Sequence, residues 1–161
     1  MMDESAATTL KTRPAVESDR EAVSALLAQS KLAVLDERAQ FGDQYVVAFD
    51  LAGELIGAAG VEVYGASGLL RSVVVSKQAR SKGIGKHLFL DRLSWAHRQG
   101  ITRLFLLTTD ARSYWMRQGF QEIGRTQVPE AVQASSQWGS GSCSSAIAMV
   151  RSLVDSNVPA V

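Results

Sequence analysis

The stretch SVVVSKQARSKGIGKHLF, residues 72 to 89, limits the folds open to this chain more than any other. Val73 to Val75 end a branched, strand-like run that begins at Leu69. From Ile84 the apolar residues Leu88, Phe89, Leu93 and Ala96 fall at helical spacing, with Gly100 placed to cap the C-terminal end. LFLL, residues 104 to 107, then reads as a short strand buried on both faces. Strand, helix and strand in that order form a crossover, which sets the two strands parallel. Between the first strand and the helix lies R-x-x-G-x-G, formed by Arg80, Gly83 and Gly85. Glycines there let consecutive backbone N–H groups converge, and the positive end of the helix faces the same point. That geometry binds phosphate oxygens, and Arg80, Lys82 and Lys86 add charge suited to a pyrophosphate and a further phosphate.

Two better-known phosphate loops do not fit. A Walker loop needs a glycine five residues before Gly85, where Arg80 stands, and Ser or Thr after Lys86, where His87 stands. A dinucleotide fingerprint needs a third glycine that is absent here. Along the rest of the chain, residues 9 to 15 predict a first strand, and Ser18 with Glu21 a capping box before a helix carrying Ala22, Val23, Leu26 and Leu27. Residues 31 to 42 predict a weak helix or a loop bordering a substrate site. Residues 44 to 50 and 54 to 64 predict a hairpin turning at Leu51 to Gly53, and residues 69 to 75 the next strand of an antiparallel meander. Asp110 to Gln118 predicts a short helix, Phe120 to Thr126 a strand and Ala146 to Val150 a last strand, with a Ser-, Gln- and Gly-rich segment at 127 to 143. The fold class is therefore α/β (α+β), a mixed sheet of about six to seven strands with about four helices. The expected boundaries are a disordered 1 to 8, one domain over 9 to 153 and a tail over 154 to 161.

Composition narrows the partners. With 17 Lys+Arg against 16 Asp+Glu there is no basic surplus for a nucleic acid. No apolar run approaches the ~20 residues that span a bilayer, and the acidic start has no signal-peptide pattern, so the cytoplasm is the expected address. Cys143, alone and flanked by serines, reads as a packed small residue. His87 and His97 lie ten residues apart on one helix, a spacing that does not serve one metal ion, and no metal is expected.

Residues 72 to 89 resemble motif A of the GCN5-related N-acetyltransferase (GNAT) superfamily, and the order of elements resembles that fold over residues 9 to 153. The resemblance implies acetyl-CoA as co-substrate, lying where the strand ending at Val75 splays from the strand of Leu104 to Leu107. Backbone groups of Val73, Val74 and Val75 would pair with the pantetheine arm. Those of Arg80, Ser81, Lys82, Gly83, Ile84, Gly85 and Lys86 would hold the pyrophosphate. LTTDARSYWMRQGF (107 to 120), QVPEAVQASSQ (127 to 137) and GLLRSVVV (68 to 75) resemble N-acetylglutamate synthase catalytic domains and, more closely, ArsN-type arsenic-resistance N-acetyltransferases. Both imply a small glutamate-like amino acid as acceptor, arsinothricin or phosphinothricin in the second case. The superfamily also implies a possible homodimer through the C-terminal strand.

Acetyl transfer needs a base for the ammonium, a donor for the oxyanion and a proton for the thiolate. Glu62, in GVEVY beside the cofactor strand, is the candidate base, acting through a water; the alternative is a solvent-facing strand glutamate. Arg71 shares strand parity with Val73 and Val75 and is the candidate partner for a substrate carboxylate; an internal salt bridge, with Glu62 for instance, is the alternative. A backbone N–H near Val75 would meet the oxyanion. Relatives place a tyrosine four residues before the glycine of the terminal GF pair, where this chain has Trp115. Tyr114 is adjacent and is the candidate acid, with solvent as the alternative for a thiol of ordinary pKa near ~8.5. Trp115 is expected against the cofactor arm or in the core, and Trp138 over a substrate pocket or at a subunit contact. Competing readings are a short N-acetylglutamate synthase, an acetyltransferase of another small amine, and a non-catalytic acyl-CoA-binding regulatory domain.

Overall fold

The computed structural model describes residues 10–36, 39–135, 137–138 and 145–154. Cys143, the expected disordered 1 to 8 and the tail from 155 onward lie outside the described residues. The order is β1 (Lys11–Pro14), α1 (Arg20–Gln29), β2 (Tyr45–Phe49), β3 (Leu55–Tyr64), β4 (Ser67–Val75), α2 (Ile84–Arg98), β5 (Arg103–Thr108), α3 (Arg112–Arg117), β6 (Gln121–Ile123), α4 (Glu130–Gln133) and β7 (Ile147–Ser152). Seven strands form one mixed sheet in the order β1-β2-β3-β4-β5-β7-β6. Among the described residues no helix is long and apolar enough to cross a membrane.

Helices cover both faces. On one, Phe89 and Ala96 of α2 and Trp115 of α3 pack with Phe120 on Leu70, Leu104, Leu106 and Met149. On the other, Val23, Leu26 and Leu27 of α1 pack on Tyr45, Val47, Ala58 and Val74. Val128 and Val132 cover Leu69, Phe105 and Ala148 beside them.

Two irregularities in β4 set up the site. The first is its pairing with β5, which is parallel over Ser67↔Arg103, Gly68↔Leu104 and Leu69↔Phe105 and then stops. Beyond that point β4 continues with β3 as far as Gly57↔Val75, while β5 continues with β7 as far as Thr108↔Ile147. The strands diverge, and the sheet opens between its two halves. The second is a bulge. Gly60 pairs with Arg71 but Ala58 pairs with Val74, so β4 carries one extra residue, and Ser72 takes φ 60°. A bulge reverses strand parity, which corrects the expectation that Arg71 faces the same way as Val73 and Val75. Arg71 instead shares a face with Glu62 and Val74, whose partners across the ladder all lie on that side.

Tyr45 holds the bulge. Its hydroxyl lies 2.9 Å from Ser72 Oγ, and its ring lies across Gly60, its ladder partner. Burial pushes the Tyr45 phenol up to about 12, so it stays neutral and able to donate.

Elsewhere the differences from the sequence expectation have local causes. The Ser18 and Glu21 box does not form; α1 starts at Asp19 with no side-chain cap. The Asp19 carboxylate instead accepts from Val16 N at 2.8 Å and from both Arg13 terminal nitrogens at 2.8 and 3.0 Å. Arg13 holds that carboxyl below its ordinary value. No helix forms over the described part of 31 to 44, where Gln40 pairs its amide both ways with the Val63 backbone. α4 was not expected at all within 127 to 143. β7 is paired with β5 on one side and with β6 over Ala148 to Val150 on the other, so it offers no open edge there for a strand-to-strand dimer.

A Cβ on Gly60 would meet Tyr45 ring carbons at 2.3 to 2.5 Å. Gly60→Ala is therefore expected to destabilise the fold by about 3 kcal/mol in a denaturant titration. An unchanged midpoint would mean that the Tyr45 ring does not fix the bulge.

Candidate active site

Between the diverging strands lies a cleft of about 540 Å³. Leu70 to Val73 and Val75 form one wall and Leu106 to Ala111 the other. Among the described residues the β4 edge has no strand partner on that side from Leu70 onward, so its backbone groups face the opening. Val73 and Val75 line the cleft, while Val74 is buried under α1. Lys31 to Ala33, in the stretch where a weak helix or a loop is expected, border it.

At the mouth, the chain from Ser81 to Lys86 turns tightly into the start of α2. Ser81 and Gly83 take left-handed φ of 68° and 80°, turning successive N–H groups to one side. Among the described residues none of the backbone N–H groups from Ser81 to Lys86 has a backbone carbonyl partner. The same residues begin α2, whose positive end adds to the field. Arg80 is used differently from expectation. Its N–H donates to Lys77 O, its Nε to Val75 O at 3.0 Å and its Nη2 to Ser30 Oγ at 3.1 Å. Lys82 and Lys86 remain exposed beside the turn.

Behind the β4 wall sits a closed polar network. Glu62 is 1% exposed and Arg71 3%, and Arg71 Nη1 lies 2.8 Å from Glu62 Oε2. Glu62 Oε1 accepts from Tyr64 OH and from Ser135 Oγ, both at 2.6 Å. Arg71 Nε donates to Ser72 Oγ at 3.2 Å and Nη2 to Val34 O at 3.4 Å. The alternatives left open in the sequence resolve here: Glu62 is not on a solvent face, and the internal salt bridge exists. Desolvation, reinforced by the bond to Glu62, pushes the Tyr64 phenol up to about 12, so it remains a donor.

Tyr114 and Trp115 both line the cleft from α3. Trp115 is the more buried and meets Phe89, Phe120 and Tyr114 edge to face at 5.3, 5.5 and 4.9 Å. Burial raises the Tyr114 phenol, which keeps it protonated. Trp138 packs with the Leu69 and Phe105 group under the Arg125 guanidinium, 5.0 Å from its ring centre, and does not line the cleft. Sequence reasoning missed Tyr64, Ser135 and Gln137. The only signal for the last two was the 127 to 137 segment, and periodicity assigned no side chain in it to the sheet.

A second, larger groove of about 1280 Å³ runs beside α1 and the β2–β3 turn. It shares Ala79, Gly83 and Ile84 with the cleft but touches neither diverging β5 nor the Arg71 network. The smaller cleft is the one that joins the glycine turn to buried charge.

Removing one member of a buried ion pair leaves the other uncompensated. Arg71→Met is expected to cost about 3–5 kcal/mol in equilibrium unfolding, and Glu62→Gln on that background to recover part of it. A loss under about 1 kcal/mol would mean that the pair is dispensable to the fold.

The acetyltransferase (GNAT) domain family matches residues 41–122, just over half of the chain. Amino-acid acetyltransferases of Neisseria meningitidis serogroups A and B are 31% identical over 80 residues, covering 48% of this chain and 18% of theirs. The chain thus spans about a fifth of the length of those relatives. N-acetylglutamate synthase from Neisseria gonorrhoeae, complexed with coenzyme A and N-acetyl-glutamate, superposes at TM-score 0.75 with 23% identity over 91% of this chain and 35% of that one. Rv2747 from Mycobacterium tuberculosis, complexed with CoA, superposes at 0.74 with 22% identity over 89% and 99%. The family match, on a sheet that opens between β4 and β5 above a glycine turn, places this chain in the GNAT acetyltransferase family.

Proposed function

We propose that this chain is an acetyl-CoA-dependent N-acetyltransferase acting in the cytoplasm on the α-amino group of a small glutamate-like amino acid, of the arsinothricin and phosphinothricin type. The observation that carries the reading is a β4 edge that, among the described residues, has no strand partner and runs into N–H groups from Ser81 to Lys86 that have no backbone carbonyl partner. An extended amide-bearing arm ending in a pyrophosphate complements that surface. Coenzyme A, held by the two structural relatives above, is such a molecule.

In the proposed reaction the neutral amine attacks the thioester carbon, an N–C bond forms, the C–S bond breaks and CoA leaves as thiolate. Glu62 takes the ammonium proton through a water. Its Oε2 accepts one bond, from Arg71, and so keeps a lone pair for that water. A β4 backbone N–H in the open edge near Val75 meets the oxyanion. Tyr114, protonated and on the cleft wall, supplies the thiolate's proton and is restored by the proton that the attacking nitrogen loses as the amide forms. Arg71 spends three of its five N–H groups within the protein and keeps one on each terminal nitrogen for a substrate carboxylate. The likeness to amino-acid acetyltransferases favours glutamate itself as a second reading.

The test is release of CoA thiol from acetyl-CoA with arsinothricin, phosphinothricin, glutamate, aspartate, a polyamine and an aminoglycoside. Turnover confined to the glutamate-like compounds is expected, and preference for glutamate over the other two selects the second reading. Turnover of the polyamine or aminoglycoside alone contradicts the acceptor class. On the preferred acceptor, Glu62→Gln is expected to lower kcat about 10²–10⁴-fold. An unchanged kcat would take the base role away from Glu62.

A further inference from the structure

Gln137 carries the one buried side-chain atom without a hydrogen-bond partner among the described residues, its Oε1. The residue is 9% exposed and lines the cleft. An unmade bond on a buried carbonyl oxygen costs folding free energy, and such groups persist where a ligand completes them. The position is not loose. Gln137 N donates to Ser135 Oγ at 3.1 Å, and the same hydroxyl donates to Glu62 Oε1 at 2.6 Å. The Arg71–Glu62 pair therefore anchors the backbone that carries this side chain.

We propose that Gln137 is an acceptor-binding residue, whose Oε1 takes a hydrogen bond from an N–H of the amine to be acetylated. A carbonyl oxygen only accepts, so its partner is a donor. Gln137 follows the segment that covers the Leu69 and Arg71 face, whereas the Ser81 to Lys86 stretch leads into α2 and Tyr114 lies on α3, helices that pack on the other face. That arrangement assigns it to the incoming amine and not to the pyrophosphate end of the cofactor. An uncharged acceptor suits the chemistry. A carboxylate in the same place would hold the amine as ammonium, while an amide orients one N–H and leaves the nitrogen lone pair free for the thioester carbon.

The proposal rests on acetyl transfer to an amine in this cleft, and not on the acceptor being glutamate-like. Two readouts on Gln137→Met, which keeps the length and removes the polar group, test it. In the ligand-free protein the melting temperature is expected to rise by about 3–6 °C, since the variant buries no orphaned oxygen. On whichever amine the wild type acetylates, kcat/KM for that amine is expected to fall about 10–100-fold with KM for acetyl-CoA unchanged. A polyamine as that amine would contradict the glutamate-like acceptor and still serve this test. A lowered melting temperature would mean the amide is satisfied within the fold, and a loss confined to the KM for acetyl-CoA would mean it serves the cofactor; either overturns the proposal. With no amine turned over, the reading on which the proposal rests fails and the proposal falls with it, whatever the melting shift.

Discussion

Arg71 and Glu62 are both almost fully withdrawn from water and lie 2.8 Å apart. Neither charge is tolerable there alone, and each spends its remaining bonds on a different part of the chain. Glu62 reaches Tyr64 on its own strand and Ser135 beyond α4. Arg71 reaches Ser72 in the bulge and Val34 in the loop after α1. Four pieces of backbone that are distant in sequence are thus tied to one neutral unit in the sheet. Replacing that unit by apolar side chains of equal volume need not weaken a fold. It would, however, release Ser135 and Val34, and with them the segments bordering the cleft beside β4.

The cleft follows from a competition between strands for neighbours. β4 finishes its ladder with β3 and β5 finishes its own with β7, so the parallel contact between β4 and β5 is kept only at Ser67 to Leu69. The bulge at Ser72 adds a second consequence. It directs Arg71 to one side and Val73 and Val75 to the other, separating buried charge from an apolar wall within a few residues. Tyr45 makes this possible by lying over Gly60 and bonding Ser72, which gives a strained residue a fixed partner.

The parts of this arrangement that follow a local rule were legible in the sequence. The β4–α2–β5 crossover came from Val73 to Val75, the Leu88 and Ala96 stripe and LFLL, and the turn into α2 from Gly83 and Gly85. The hairpin at Leu51 to Gly53 came from alternation and a glycine. What was not legible depends on pairing across the sheet. Nothing in SVVV marks Ser72 as a bulge, so parity placed Arg71 on the wrong face. Ser18 and Glu21 satisfy a capping rule, but Arg13 from β1 recruits Asp19 and the helix starts there instead. Ser135 and Gln137 sit in a stretch that composition marks only as Ser-, Gln- and Gly-rich, and the buried Glu62 is what ties it to the sheet.

The account turns on the opening between β4 and β5 being where acetyl-CoA lies. Amide hydrogen exchange, measured with and without acetyl-CoA, reads that location directly. Slowed exchange over residues 70 to 75 together with 81 to 86 is the predicted result. Slowing confined to residues 50 to 52 and 54 to 56, which line the larger groove beside α1, would contradict it.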